Sequence, residues 1–128
     1  MRVFIIFILA FFLFETIINA GSKIIIRKND DGKEIAVKTD DVLQIELEAF
    51  GGAGYEWKFE DLNYEYFELI EVETKVVTRN GFVGAPNIKV WHLRVKKAGE
   101  TEIIMFCFRV WEGKDKAADK FKIKVKIF

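Results

Sequence analysis

The chain of 128 residues contains only one cysteine, one histidine and one proline. A single cysteine cannot form a disulfide within the chain, so the fold must rest on its apolar core. No Asn-x-Ser/Thr sequence occurs, so no N-linked glycan is expected. The formal net charge is zero, and a neutral chain has no general attraction for phosphate backbones. Nucleic acid is therefore not expected as a partner.

The shortage of reactive side chains argues against an enzyme. Cys107 and His92 are the only residues that could form a thiol–imidazole pair. Both lie in predicted strands, where the alternation directs Cys107 toward the core and His92 outward. A metal site is equally unsupported, since zinc sites typically use several cysteines or histidines at close spacing. The sequence therefore predicts no catalytic residues, no metal and no cofactor.

The N-terminal segment differs in composition from the rest of the chain. Arg2 precedes an unbroken apolar run of twelve residues, Val3–Phe14, and a more polar stretch ends at Ala20. Twelve apolar residues are too few to cross a bilayer, which takes about 20. This layout predicts a secretory signal peptide over residues 1–20, cleaved after Ala20, with residues 21–128 as one domain that no longer associates with a membrane. A buried N-terminal helix and an uncleaved anchor are the alternatives.

Beyond residue 20, apolar and polar residues alternate with a period of two. This alternation indicates strands with one face on a core and one face in water. The clearest segments are Leu43–Ala49, Tyr55–Phe59, Trp91–Val95 and Phe121–Ile127. Further strands are predicted at Lys23–Arg27, Glu34–Thr39, Tyr66–Val77 and Thr101–Phe108. Seven to eight short strands without a long helical pattern predict an all-β, immunoglobulin-like sandwich of antiparallel strands with no disulfide.

Three features of these strands carry further expectations. Phe121–Ile127 has a lysine at every outward position, a pattern that protects edge strands, and this favours a monomer. Thr101–Phe108 is apolar on both faces, so it is either central and covered on both sides or presents an apolar stripe; partial cover by neighbouring side chains and loops is expected. Trp57 is expected in the core of the sandwich.

Three loops are candidates for a binding edge: Phe50–Gly54, Arg79–Asn87 and Arg109–Gly113. In a sandwich of this strand order they gather at one end. The glycine-rich first loop is thin, and its neighbours carry larger residues, including Arg109 and Trp111. Each loop alone could be an ordinary turn, but together they favour binding. The first loop is not a phosphate-binding loop, because no Lys-Ser/Thr follows it and it leads into a strand.

Trp111 follows the apolar strand and opens a polar turn. A rigid aromatic side chain directed at solvent from the end of a sheet is typical of a binding surface. The same residue could instead fold back over the end of the core. The segment alone leaves both interpretations open.

At these loops the chain resembles the chagasin family of inhibitors of papain-like cysteine peptidases. The first loop of that family reads Asn-Pro-Thr-Thr-Gly-Tyr-x-Trp, and Gly54–Trp57 is similar to its second half. Val83–Pro86 looks like the glycine-rich second loop of the family. The third loop carries Arg-Pro-Trp, and Arg109–Glu112 keeps the arginine and the tryptophan. The likeness covers roughly residues 40–128.

The resemblance implies a secreted, lysosomal or phagosomal protein that blocks the peptidase cleft reversibly with three loops. The first loop would lie over the catalytic cysteine of the peptidase, and the other two loops would cover its two sides. The residues implied to bind the peptidase are Gly51, Gly52, Ala53, Gly54, Tyr55, Phe82, Gly84, Ala85, Pro86, Arg109 and Trp111.

The first hypothesis is thus a competitive, non-covalent inhibitor of papain-like cysteine peptidases. The second is a secreted binding module of the same fold without inhibitory activity, such as a carrier of lysosomal hydrolases or an adhesion domain. The altered first loop, Phe50–Ala53, motivates this alternative. The third hypothesis is a thiol enzyme that uses Cys107.

Overall fold

The computed structural model describes residues 21–76 and 86–128. These residues form two four-stranded sheets, joined by loops and three short 3-10 turns. The strands are β1 (Lys23–Arg27), β2 (Glu34–Val37), β3 (Val42–Ala49), β4 (Tyr55–Phe59), β5 (Phe67–Val76), β6 (Asn87–Val95), β7 (Gly99–Arg109) and β8 (Asp119–Ile127). The described residues contain no helix long and apolar enough to cross a membrane.

The strand order separates the chain into a first sheet, β1-β3-β6-β5, and a second sheet, β2-β8-β7-β4. The all-β sandwich predicted from the alternation is confirmed. The pairing differs from the prediction at two edges, because β1 runs parallel to β3 and β2 runs parallel to β8. The pattern of alternation reports which face of a strand is buried, and it is the same for parallel and antiparallel edge strands.

The core lies between the two sheets and is built from the inward residues of each strand. Its fully buried side chains include Leu43, Ile45, Leu47, Phe67, Leu93, Ile103, Met105, Phe121 and Ile123. Burying such side chains stabilises the fold by roughly 1.5–3 kcal/mol each relative to leaving them exposed. Cys107 lies in this core as expected, at 6% exposure.

The prediction that the lysine-rich last strand is an edge strand is wrong. β8 lies between β2 and β7 and pairs with both. Its lysines instead line the solvent face of the second sheet, where Lys122 pairs with Glu102 and Lys126 with Glu100. The expectation of a monomer loses this support.

β7 occupies the centre of the second sheet, and its outward apolar residues are partly covered, as expected. Ile104, Phe106 and Phe108 are half-buried. The ammonium groups of Lys114 and Lys120 lie 5.7 Å and 5.5 Å from the centre of the Phe106 ring. Long lysine side chains thus shield the apolar ring while their charges stay in water.

Trp57 joins the two sheets directly beneath the loop between β3 and β4. Its ring is buried at 4% exposure, as predicted. Its indole N–H donates a hydrogen bond to the carbonyl of Glu48 on β3, at 2.9 Å. Because β3 and β4 belong to different sheets, this bond fixes the two ends of the loop that crosses between them.

Candidate functional site

The first loop, residues 50–54, is a tight turn held by its own backbone. Residues Gly51–Ala53 form a 3-10 turn, and the carbonyl of Phe50 accepts from the N–H of Ala53 at 3.0 Å. Gly54 ends the turn with a φ of +86°, in the left-handed region. Glycine adopts this conformation without the steric cost that a Cβ would add. Beyond Phe50, the loop therefore presents mainly backbone to solvent.

The third loop, residues 109–113, turns back on the carbonyl of Arg109. That oxygen accepts from the N–H of Glu112 at 3.0 Å and from the N–H of Gly113 at 3.2 Å. The tight turn holds Trp111 away from the core, with 71% of the residue exposed. Of the two interpretations of Trp111, the solvent-directed one is confirmed.

The first and third loops lie against each other because the strands that carry them are paired. Tyr55 at the start of β4 stands opposite Arg109 at the end of β7. The Arg109 guanidinium lies 4.5 Å from the centre of the Tyr55 ring and 5.8 Å from that of Trp111. Its Nε donates to the carbonyl of Ala53 at 2.9 Å. One arginine thus connects both loops.

Gly54 and Trp111 form a second contact between these loops. A Cβ built on Gly54 would overlap the six-membered ring of Trp111. The absence of a side chain at this position therefore lets the indole lie directly on the backbone of the first loop. Position 54 requires glycine for two reasons: its φ is positive, and the Trp111 ring lies close to its backbone.

Only the end of the second loop belongs to the described residues. Phe82, Gly84 and Ala85 lie outside them, whereas Pro86 is half-buried and directly precedes β6. Asn87 pairs with Ala49, the last residue of β3. A Cβ on Gly51 would lie 3.2 Å from the side-chain nitrogen of Asn87. Residues 50–54, 86–87 and 109–113 therefore share one end of the sandwich, which we call the loop end.

The loop end exposes aromatic and backbone groups. Phe50 is 56% exposed in the first loop, and Val110 in the third loop is exposed to the same extent. The depression between the first loop and Asn87 has a volume of about 120 Å³. Ligand pockets usually measure about 300–1,000 Å³, so this depression is too small for one. A more open depression of about 430 Å³, lined by Phe50 and Trp57 among others, falls in that range. The exposed aromatic and backbone groups of the loop end suit contact with a protein surface.

The chemistry of Cys107 argues against the thiol-enzyme hypothesis. Burial raises the pKa of the Cys107 thiol, with a further contribution from the Asp119 carboxylate. Nucleophilic attack requires the thiolate, which this environment disfavours. His92 lies on β6 of the first sheet and faces outward, whereas Cys107 faces the core from β7. The two side chains do not form a pair, as the alternation predicted.

Two residues of the candidate loops, Glu112 and Asn87, shape the loop end through contacts that the sequence did not predict. The Glu112 carboxylate binds Arg109 at 2.9 Å and raises the pKa of its guanidinium, chiefly through this hydrogen bond. Asn87 contacts the first loop. The spacing of three residues between Arg109 and Glu112 could have signalled the ion pair. No sequence pattern predicts the contact of Asn87 with the first loop, because this contact depends on the pairing of β3 with β6.

The arrangement defines a class of protein: a rigid β-sandwich that presents loops at one end for binding another protein. The model of the family described as "Chagasin family peptidase inhibitor I42" matches residues 36–125. The chain therefore belongs to the chagasin family of peptidase inhibitors, and it is an inhibitor and not an enzyme.

Solved structures agree with this assignment. The chain is similar to the cysteine protease inhibitor EhICP2 from Entamoeba histolytica, with 25% identity, a TM-score of 0.77, and coverage of 84% of this chain and 96% of that chain. Amebosin has the same fold, with 18% identity, a TM-score of 0.67 and coverage of 84% and 100%. PbICP-C, solved in complex with falcipain-2, matches with 18% identity, a TM-score of 0.54 and coverage of 88% and 95%. A comparison with curated proteins finds no match.

Proposed function

We propose that the protein inhibits papain-like cysteine peptidases reversibly, by seating the loop end in the active-site cleft. The observation that carries this proposal is the convergence of the loops, in which Arg109 and Trp111 close over the backbone of residues 53–54. The complex of PbICP-C, which shares the fold, with falcipain-2 supports a peptidase of this kind as the partner.

The geometry explains how such a loop end could inhibit without being cleaved. Gly51 and Gly52 expose backbone N–H and carbonyl groups, but the 3-10 turn keeps this backbone compact instead of extended. The flanking Trp111 supplies apolar area at the edge of the contact. The first and third loops are already held in place by hydrogen bonds, so little of their conformational entropy is lost on binding.

The first test is a titration of the purified protein into a papain-like peptidase, with a fluorogenic substrate as readout. We expect inhibition that substrate competes away and that dilution reverses. A serine peptidase serves as the negative control. Absence of inhibition at micromolar protein would reject the proposal. Binding that leaves peptidase activity intact would instead favour the alternative of a non-inhibitory binding module.

The assignment of individual contacts is part of the proposal. The residues in the described part of the loop end are Gly51, Gly52, Ala53, Gly54, Tyr55, Pro86, Arg109 and Trp111. We propose that Phe82, Gly84 and Ala85, which lie outside the described residues, complete the contact. Alanine or serine substitution at Phe82 with inhibition as readout tests their part.

We also propose that the protein enters the secretory pathway and acts outside the cell or in a lysosomal or phagosomal compartment. The charged start and the apolar run of residues 1–20 support this proposal; they lie outside the described residues. N-terminal sequencing of the protein recovered after export should begin at Gly21. A start at Met1 would show that the segment is retained.

A further inference from the structure

The outward face of the first sheet, away from the loop end, carries a cluster of two carboxylates and the only histidine of the chain. Glu71 and Glu73 alternate on β5, and His92 lies on the neighbouring β6. Candidate ligand atoms of the three side chains all lie within 4.8 Å of one another. The Nε2 atom of His92 lies 3.3 Å from a carboxylate oxygen of Glu73.

A β-bulge creates this cluster. The pairing of β5 with β6 shifts between Leu69 and Glu71, so that Glu71 stands opposite His92. Without the extra residue, Ile70 would stand opposite His92 and Glu71 would face the core. The bulge thus moves both carboxylates to the face that carries the imidazole, which is a common use of bulges.

The distances suit the coordination of a metal ion. Two ligand atoms about 2.0–2.2 Å from a tetrahedral zinc ion lie about 3.3–3.6 Å apart. The separation of 3.3 Å between His92 and Glu73 matches this edge of a tetrahedron. Metal binding would replace the present contact between these two side chains, because a ligating imidazole nitrogen carries no proton.

Gln44 on β3 provides an independent observation beside the same imidazole. It stands directly opposite His92 on the outward face and is only 6% exposed. Its Nε2 donates to Glu46 at 2.7 Å, whereas its Oε1 is buried and lacks a hydrogen-bond partner among the described residues. A buried acceptor without a partner is costly, and a cation or a water bound to it would remove that cost.

Two of the neighbouring cations on this face are already engaged elsewhere, and a third acts on the cluster itself. Arg94 is bound by Glu68 and Asp40, and Arg27 is bound by Glu46. Lys75, on β5, is the further cation whose charge acts on Glu73. Two adjacent carboxylates therefore face one imidazole and the single positive charge of Lys75.

We propose that Glu71, Glu73 and His92 bind a divalent cation, and that the donor set of one imidazole and two carboxylates selects Zn²⁺ over Mg²⁺. Magnesium prefers all-oxygen ligands, whereas zinc accepts nitrogen and oxygen together. Three protein ligands leave a fourth position, which water can fill. No run of cysteines or histidines marks this site in the sequence, and the bulge that assembles it depends on the pairing of β5 with β6.

The site is separate from the loop end. His92 lies five residues along β6 from Asn87, a distance of about 17 Å in an extended strand. The proposal therefore goes beyond the inhibitory function. The zinc site and the peptidase inhibition are independent proposals, and one can be wrong while the other holds. Removal of the metal should leave peptidase inhibition unchanged.

The test is isothermal titration of ZnCl₂ into chelator-treated, tag-free protein. We expect one saturable site per chain, which MgCl₂ does not occupy. His92→Asn should weaken binding by about 100-fold or more, and Glu73→Gln by at least about tenfold. The matched control is Glu68→Gln on the same strand and face, whose carboxylate binds Arg94, and it should bind zinc like the parent protein.

A second measurement identifies the ligand directly. Because His92 is the only histidine, its imidazole signals in an ¹H–¹⁵N spectrum report this site alone. Zinc should shift them, and circular dichroism should show that each variant keeps its strands. The absence of saturable binding, or undiminished binding by folded His92→Asn protein, would overturn the proposal.

Discussion

The first and third loops lie side by side at the loop end, yet they are built differently. Beyond Phe50, the first loop is nearly all backbone, with glycine at positions 51, 52 and 54. The third loop carries long side chains, Arg109, Trp111 and Glu112, on one tight turn. The first loop obtains its shape from a 3-10 turn, and the third loop supplies the groups that hold it.

The difference indicates that neither loop forms the surface alone. Trp111 can lie on the first loop only because Gly54 has no side chain. The carbonyl of Ala53 is bound only because Arg109 reaches across from β7. A thin element and a bulky element therefore form one preorganised unit, which lowers the cost of ordering on binding. Substitutions on the two sides of the Gly54–Trp111 contact should have linked effects.

Gly54→Ala is expected to have the largest effect. The new Cβ must adopt a left-handed conformation, which costs about 1–2 kcal/mol of stability, and it must displace the Trp111 ring. Both loops then lose their geometry, so inhibition should weaken by about 3 kcal/mol, or more than a hundredfold. Inhibition constants and chemical denaturation measure the two effects.

A double-mutant cycle tests whether the contact itself is responsible. In a Trp111→Ala background, Gly54→Ala has no indole to displace, and its additional effect on inhibition should be much smaller than in the parent protein. Strictly additive effects would show that the two loops act independently.

Trp111→Ala is the second largest change. It removes an exposed aromatic side chain without opening a cavity, so the free energy of unfolding should change little. As an aromatic anchor of the interface, the residue should contribute about 2 kcal/mol or more to inhibition. Phe128→Ala, which removes another exposed aromatic ring at the opposite end of the sandwich, should leave inhibition intact. Equal losses in the two variants would contradict a role for the loop end.

Arg109→Lys tests the bond between the loops while keeping the positive charge. Lysine lacks the planar guanidinium that stacks on Tyr55 and donates from Nε to Ala53. We expect inhibition to fall by about fivefold, the equivalent of one hydrogen bond. Amide hydrogen exchange should become faster in residues 51–54. An unchanged exchange rate would mean that the 3-10 turn holds its shape without the arginine.

Much of the loop end could be predicted from the strands that flank it. The alternation in Leu43–Ala49, Tyr55–Phe59 and Trp91–Val95 placed each strand with the correct face inward, and it also predicted the burial of Trp57. The strands of a sandwich all finish at one of its two ends, so each connecting loop must lie at one end or the other. The family resemblance added the identity of the partner.

The remaining features depend on contacts between distant parts of the chain. The lysines of β8 mark a solvent face, and a solvent face occurs on central and edge strands alike, so the edge assignment was wrong. The bulge near Ile70 and the contact of Gly54 with Trp111 depend on backbone register and on a single positive φ. A pattern of period two reports which face is buried, but it carries no information on lateral neighbours.

Gly52→Ala should have the smallest effect, and it separates shape from stability within the first loop. A Cβ at this position meets nothing within 4 Å, and its φ lies outside the left-handed region, so the free energy of unfolding should stay within about 0.5 kcal/mol of the parent value. If the bare backbone enters the peptidase cleft, the added methyl group should still weaken inhibition by about threefold. Gly52→Ala would then weaken inhibition without lowering stability, whereas Gly54→Ala lowers both. Unchanged inhibition in Gly52→Ala would mean that the third loop makes the contact and that the glycines serve only to let Trp111 lie flat.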